Sequence, residues 1–353
     1  MGLVPIVQNA IPFAVMVSVE CTDVGLAVIS KAALTKGMNK FVSVVYYNAL
    51  ATLILLPHFI FHRKRRAPLT FSLIWRFFLL GLIGTTGQIL YFTGLNFSSP
   101  TLSSAMANLI PIYTLFLAVV FRIEKLELRR SSSQAKTLGA IVAVIGAFIV
   151  TLYKGPLLLK DSTSNAPDHP QLHLSQSSEW AIGGLLLALT CMSSGIWNVL
   201  QAATVKEYPE EMTIVFFYTF FITIQALAFS VIVERNLNAW KLTTLVEIVA
   251  IVCTAIFGSL FRIGIHTWCL RKKGPVYVAM FRPLGMAIAV LLTVTFLGYS
   301  LYLGSVLGSI VIALGFYTVM WGQMKEKNNL VVDIEDCSLR SASQKTPLLQ
   351  PSE

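Results

Sequence analysis

The sequence predicts an all-α polytopic membrane protein: ten transmembrane helices arranged as two inverted five-helix repeats. Three observations carry that expectation. The chain of 353 residues is 55% hydrophobic and only 12% charged, far too apolar for a water-soluble domain of this length. Apolar stretches of about twenty residues, the length a helix needs to cross roughly 30 Å of hydrocarbon, recur at 11–30, 42–61, 77–95, 101–121, 137–153, 180–203, 212–233, 246–268, 276–296 and 300–321. Landmarks of one half also return in the other. Ala105-Met106 matches Ala279-Met280, Pro100 matches Pro275, and the interval from Gly139 to Gly146 matches that from Gly308 to Gly315. Because each half holds an odd number of helices, the second enters the membrane upside down relative to the first.

The first apolar stretch is preceded by no Lys or Arg, carries Glu20 and Asp23 and lacks a small-residue cleavage site, so it is expected to stay as the first helix rather than leave as a signal peptide. Residues 11–153 make the first repeat and 180–322 the second. Between them, 154–179 is rich in Ser and Pro and reads as a polar linker. Residues 323–353 turn polar and Ser-rich, which predicts a disordered cytoplasmic tail. Pro12, Pro111 and Pro283 fall inside helices, where the carbonyls they free are tolerable only if protein or water covers them. Asn108 with Pro111, and Arg282 with Pro283, are therefore expected at pore-facing kinks. Helices five and ten are almost purely apolar, with Gly139, Ala143 and Ala147, or Gly304 and Gly308, at four-residue spacing. Small residues so spaced allow close helix contact, within the chain or in a homodimer through either helix.

A net charge of +10 raises the question of nucleic acid, which the placement of the charge answers. Eighteen Lys and Arg fall in the loops and tail on one side of the predicted bundle and seven in the loops on the other. Positive charge stays on the cytoplasmic side, so both termini are expected there and the basic balance is topological, with no nucleic-acid partner. Arg262 and Arg282 belong to neither group because they lie inside helices.

A central charge costs about 2.5–3.5 kcal/mol to insert, so each polar group within a span asks for a reason. Helix one carries Glu20 and Asp23 on one face, helix three Gln88 and Tyr91, and helix four Ser104 and Asn108. Their repeat counterparts carry Ser194, Asn198 and Gln201 in helix six, Ser259, Arg262 and His266 in helix eight, and Arg282 in helix nine. Six polar-striped helices fit a ring around an aqueous cavity. Candidate substrate-binding residues are thus Glu20, Asp23, Gln88, Tyr91, Asn108, Asn198, Gln201, Arg262, His266 and Arg282. Glu20 and Asp23 read as proton carriers, as ligands of a substrate ammonium, or as counter-ions of the two arginines. Arg282 reads as a counter-ion or as a two-pronged grip on a substrate carboxylate.

Other chemistries are poorly supported. His58 and His62, and His169 and His173, stand four apart but lack a third ligand nearby in sequence, so no metal is expected. There is no Gly-x-Ser-x-Gly, Walker loop or Rossmann fingerprint, which leaves neither an enzyme nor an ATP-driven pump, and no cofactor. The five cysteines form no Cys-x-x-Cys pair and read as packing residues and a free tail thiol. Asn96-Phe97-Ser98 matches the glycosylation pattern but lies too close to the bilayer to be modified.

The run Lys31-Ala-Ala-Leu-Thr-Lys-Gly37, then Tyr46-Tyr-Asn-Ala-Leu-Ala51, Pro57, Asn108-Leu-Ile-Pro111, Arg122-Ile-Glu-Lys-Leu-Glu-Leu-Arg129 and Leu152-Tyr-Lys-Gly-Pro156 resembles the first EamA-type repeat of the plant drug/metabolite transporter superfamily. Lys273-Gly-Pro-Val-Tyr-Val-Ala279, Phe281-Arg-Pro-Leu284, Leu303-Gly-Ser305 and Trp321-Gly322 resemble its nodulin-type, Walls Are Thin-related branch. The resemblance covers roughly residues 10–325. It implies a secondary transporter or facilitator for small metabolites, amino acids or related carboxylates such as auxin, working by alternating access in the plasma membrane or the vacuolar membrane. The rival reading is a receptor or scaffold that keeps the fold without transport, but a scaffold has no need of six polar stripes.

Overall fold

The structure is a computed structural model, and it describes residues 3–61, 68–98, 100–123, 130–153, 155–159, 177–208, 210–242, 244–297 and 301–343. Among the described residues, twelve α-helices build the ten spans. Spans one to three are α1 (Leu3–Thr35), α2 (Lys40–Phe61) and α3 (Phe71–Asn96). Span four is split into α4 (Pro100–Ala107) and α5 (Ile110–Val120), and span five is α6 (Ser131–Leu152). In the second half, α7 (Ser177–Glu207) and α8 (Glu211–Val233) are spans six and seven. Span eight joins α9 (Leu245–Cys253), a π-helical stretch Thr254–Phe261 and α10 (Arg262–Lys273). Spans nine and ten are α11 (Pro275–Leu297) and α12 (Leu303–Ser343). Among the described residues, nine helices are long and apolar enough to cross a membrane, and Ile110–Val120 is a shorter apolar one. Many of their outward side chains, such as Leu53, Phe116, Leu138 and Ile232, are largely exposed; in water they would be a liability, and in hydrocarbon they are at home.

Three boundaries differ from the sequence reading. Span four is not continuous: the chain turns at Asn108-Leu109 before Pro111, which sits where its missing N–H leaves no helical bond unmade. The tail expected to be disordered from 323 continues α12 as a helix to Ser343, while 344–353 lie outside the described residues. The expected linker contains a strand, Leu157–Leu159, which pairs antiparallel with Leu301–Tyr302 ahead of span ten; residues 160–176 lie outside the described residues. At the opposite end of the bundle Gly274, at φ 89°, stops α10 in a conformation that side chains rarely adopt, and Pro275 starts α11 directly.

The two halves interlock through spans five and ten. A Cβ built on Gly139 would lie 2.7 Å from the carbonyl oxygen of Gly315, and one on Gly146 would lie 2.9 Å from that of Gly308. The reverse holds from the other side, where Gly308 meets Gly146 and Gly315 meets Gly139. Position 139 pairs with 315 and 146 with 308, so the helices run antiparallel and the same motif in each half grips the other. This is the geometry of an inverted repeat. Of the two uses open to these small residues, contact within the chain is the one Gly139, Gly146, Gly308 and Gly315 make. Buried Lys136 closes the crossing with an ion pair to Glu326.

With ten spans, both ends of the chain lie on one side, called here the terminal side; the other is the far side. One apolar cluster gathers residues of spans one, four, five, six, eight, nine and ten, including Met16, Phe281 and Phe316. A second gathers spans two, three, six, seven and eight around stacked Phe59 and Phe216, with ring centroids 4.2 Å apart, and Phe77 and Phe217 at 5.1 Å. The central space lies between these two clusters.

Candidate functional site

A cavity of about 460 Å³ occupies that space. Its wall is built from spans three and four of one half and spans six, eight and nine, with Tyr47 of span two and Tyr218 of span seven. Six of the ten candidates line it: Gln88 and Tyr91 from α3, Asn198 from α7, Arg262 and His266 from α10, and Arg282 from α11. From the arginines it runs toward the far side, where Tyr91, Phe92, Ser103 and Leu187 are its outermost lining residues.

The other four candidates stand behind the wall. Asp23 of α1 lies 3.8 Å from Nη1 of Arg262 and 3.9 Å from Nη1 of Arg282. These are ion pairs at contact range, too long for well-made hydrogen bonds. Glu20, one turn earlier, is buried with its carboxylate against Gly285 of α11. Gln201 is fully buried and donates through Nε2 to Thr267 Oγ1 at 2.5 Å, a private contact between spans six and eight. Asn108 is buried at the break in span four, where Nδ2 points at the Met286 sulfur 3.7 Å away. It thus secures the kink instead of facing the cavity. Asn198, which does line the cavity, also contacts Thr114 Oγ1 through Nδ2 at 3.4 Å.

The π-helical stretch explains how Arg262 is aimed. Such segments hold one extra residue per turn and loosen the backbone hydrogen-bond ladder, and they recur at functional sites. Arg262 follows this stretch directly, its Nε donating to the carbonyl of Gly258 at 2.9 Å while its Nη groups remain for other partners. Ser259 in the same stretch donates to Asn48 Oδ1 of span two at 3.4 Å, tying the stretch to the first half.

Several lining residues escaped the sequence reading. Tyr47, Trp197 and Tyr218 make an aromatic flank, with Trp197 and Tyr218 ring centroids 5.5 Å apart. A signal was available in α3, where Gly84 and Gly87 share the polar face with Gln88 and Tyr91. A Cβ on Gly84 would lie 2.8 Å from the Tyr218 hydroxyl and one on Gly87 3.1 Å from Ser193 Oγ, so these glycines let the far helices reach the cavity. Three buried atoms of lining residues, Gln88 Oε1, Trp197 Nε1 and His266 Nε2, lack a hydrogen-bond partner. Such atoms are costly when left so, and here they face the space a polar solute would fill.

Electrostatically the wall is one-sided. Both arginines are on it, both acids are behind it, and the aromatic rings stand beside them. This arrangement can bind a small organic anion with an apolar or aromatic body. Among the described residues, no group of three or more His, Cys, Asp or Glu is placed to hold a metal ion.

Comparison with known proteins agrees with the architecture. Residues 24–152 match the EamA-like transporter family. The chain is 42% identical to WAT1-related protein At3g28050 of Arabidopsis thaliana, over 97% of this chain and 96% of that protein. It is 44% identical to WAT1-related protein At5g40240 of the same plant, over 97% of this chain and 92% of that one. A solved crystal structure, described only as that of a protein, superposes with a TM-score of 0.65 over 90% of this chain and 98% of its own, at 11% identity, a likeness of fold alone. The chain therefore belongs to the WAT1-related branch of the EamA-like transporter family, as a multi-pass membrane protein whose family moves small molecules.

Proposed function

We propose that this protein is a secondary transporter or facilitator for small carboxylates, amino acids or aromatic acids such as auxin, and that it works by alternating access between its two repeats. The observation that carries the reading is the placement of Arg262 and Arg282 on the cavity wall with Asp23 set behind them. Two guanidinium groups offer a carboxylate a two-pronged partner in a space of low dielectric. Tyr47, Trp197 and Tyr218 offer a flat apolar surface to the rest of the solute. The site lies where the halves meet, as in other inverted-repeat carriers.

Proteoliposomes holding the purified chain should take up labelled indole-3-acetate or an amino acid, with counterflow when unlabelled solute is trapped inside. Absence of flux for any small carboxylate, from protein that is folded and correctly inserted, would favour the receptor or scaffold reading. The host is the plasma membrane or the vacuolar membrane, with both termini in the cytoplasm on the strength of the loop charges. Tags before Met1 and after Glu353 should both be shielded from added protease in intact cells if the host is the plasma membrane, and both be digested on sealed isolated vacuoles, whose outer face is the cytoplasmic one, if it is the vacuolar membrane. Digestion of either from the non-cytoplasmic face would reverse the orientation.

A further inference from the structure

Spans one, eight and nine are sealed against one another on the terminal side. Phe13 of span one and Phe281 of span nine have ring centroids 5.9 Å apart, and Phe316 of span ten completes a triangle with them at 5.8 and 4.9 Å. Next to it Cys269, Leu270 and Tyr277 are at most 1% exposed. Just above this seam, toward the cavity, sits the cluster in which span one supplies Asp23 and spans eight and nine supply Arg262 and Arg282. Under the inverted repeat, spans one, eight and nine are the counterparts of spans six, three and four. Those three line the cavity on its way to the far side. Spans three and six meet at their far ends, where Gly94 faces Leu186 and Gly183 faces Phe97, so the cavity lies inside this trio while its counterpart is packed shut on the terminal side; exchanging the two roles produces the opposite state from the same fold.

We propose that Asp23 is the latch of the terminal-side seam. While the site is empty it stands in for the solute, holding the arginines of spans eight and nine to span one. An arriving carboxylate takes both arginines, span one is released, and the seam opens. The geometry favours such an exchange. At 3.8 and 3.9 Å the bridge is long, whereas a solute carboxylate seated squarely on a guanidinium reaches about 2.7–2.9 Å. Asp23 is 22% exposed, so packing does not lock it in place against the arginines. Opening an empty seam would instead part an acid from two bases within the bilayer span with nothing to replace it, an unfavourable separation. Glu20, pressed on Gly285, seats span one against span nine in the closed form.

The inference rests on the reading that the two arginines take the solute's carboxylate, and the test separates the two. Cys269 is a native thiol sealed in the seam. In a chain whose other four cysteines are serine, a small hydrophilic methanethiosulfonate added from the terminal side should modify Cys269 slowly. Asp23→Asn should raise that rate about tenfold with no solute present, the effect of shifting the closed–open balance by ~1.4 kcal/mol. Asp23→Glu, which keeps the charge, should not. If Asp23→Asn fails to reach the membrane, Arg282→Gln removes the span-nine half of the bridge, leaves the half to Arg262, and should raise the rate by a smaller factor. With Asp23 intact, indole-3-acetate should raise the rate and its methyl ester, which lacks the carboxylate, should not. An unchanged Cys269 rate in the latch variants overturns the proposal. A raised rate in the variants with no response to indole-3-acetate keeps the latch but removes the solute as its key, and counts against the binding reading.

Discussion

Gly315→Leu should leave almost no folded protein in the membrane. A Cβ at this position would overlap the backbone nitrogen of Ala143 and lie 2.7 Å from the carbonyl oxygen of Gly139, and backbone cannot swing aside as a side-chain tip can. The crossing of α6 and α12 would have to separate along its length, because Gly139, Gly146 and Gly308 rely on the same close approach. Overpacking a well-filled site costs about 1–3 kcal/mol, and the separation adds the lost packing of both helices. Without aqueous hydrophobic force between spans, that packing is most of what holds them together. Gly184→Ala is the control: nothing lies within 4 Å of its Cβ, and the change should be neutral or slightly stabilising. Surface abundance and melting temperature in detergent read both variants. Wild-type abundance for Gly315→Leu would deny the crossing that joins the halves.

Arg282→Lys should raise the KM for a carboxylate solute by about ten- to a hundredfold, equivalent to the ~1.5–3 kcal/mol of a hydrogen bond to a charged group. Lysine keeps the positive charge facing Asp23 but lacks the planar fork. Abundance should stay near normal. Arg282→Met should abolish uptake yet still accumulate, since Asp23 keeps Arg262 as a partner 3.8 Å away and is not stranded. The contrary result is specific. If Arg282→Met misfolds, and combining it with Asp23→Asn restores abundance together with full transport, the arginine is a counter-ion and has no part in holding solute.

The reason some of this was legible in the sequence is that hydrocarbon penalises polar groups. Gln88, Tyr91, Asn198, Arg262, His266 and Arg282 could be picked out because a span has no other use for them, and all six reach the cavity. The same rule also picked Gln201 and Asn108, which stand behind the wall, because a buried amide can find a partner within the protein, as Gln201 Nε2 does at Thr267 and Asn108 Nδ2 at the Met286 sulfur. Tyr47, Trp197 and Tyr218 were missed for the opposite reason: in an apolar helix an aromatic ring looks like packing, and only the fold shows which rings turn inward. Spacing announced that Gly139, Gly146, Gly308 and Gly315 would sit at close contacts, but spacing carries no address, so their partner was open between this chain and another copy. The extension of α12 past Gly322 ran against composition, which reports what cannot be buried and says little about whether a polar segment keeps its helix.

The charges themselves are unevenly shared between the halves. An offset of 174 residues carries Gln88 onto Arg262 and Asn108 onto Arg282, so neutral amides in one repeat stand where the other holds cations. The backbone is nearly indifferent to which way it faces; the field inside it is not. A solute entering from the far side and one entering from the terminal side meet different electrostatic surroundings, and half-saturation on the two sides should differ accordingly. Detailed balance forbids a passive carrier from turning that difference into accumulation. A lower half-saturation on one side must be matched by a proportionately lower maximal rate from that side, so on the proposed function a passive carrier of this build would be a scavenger in one direction and a high-capacity vent in the other.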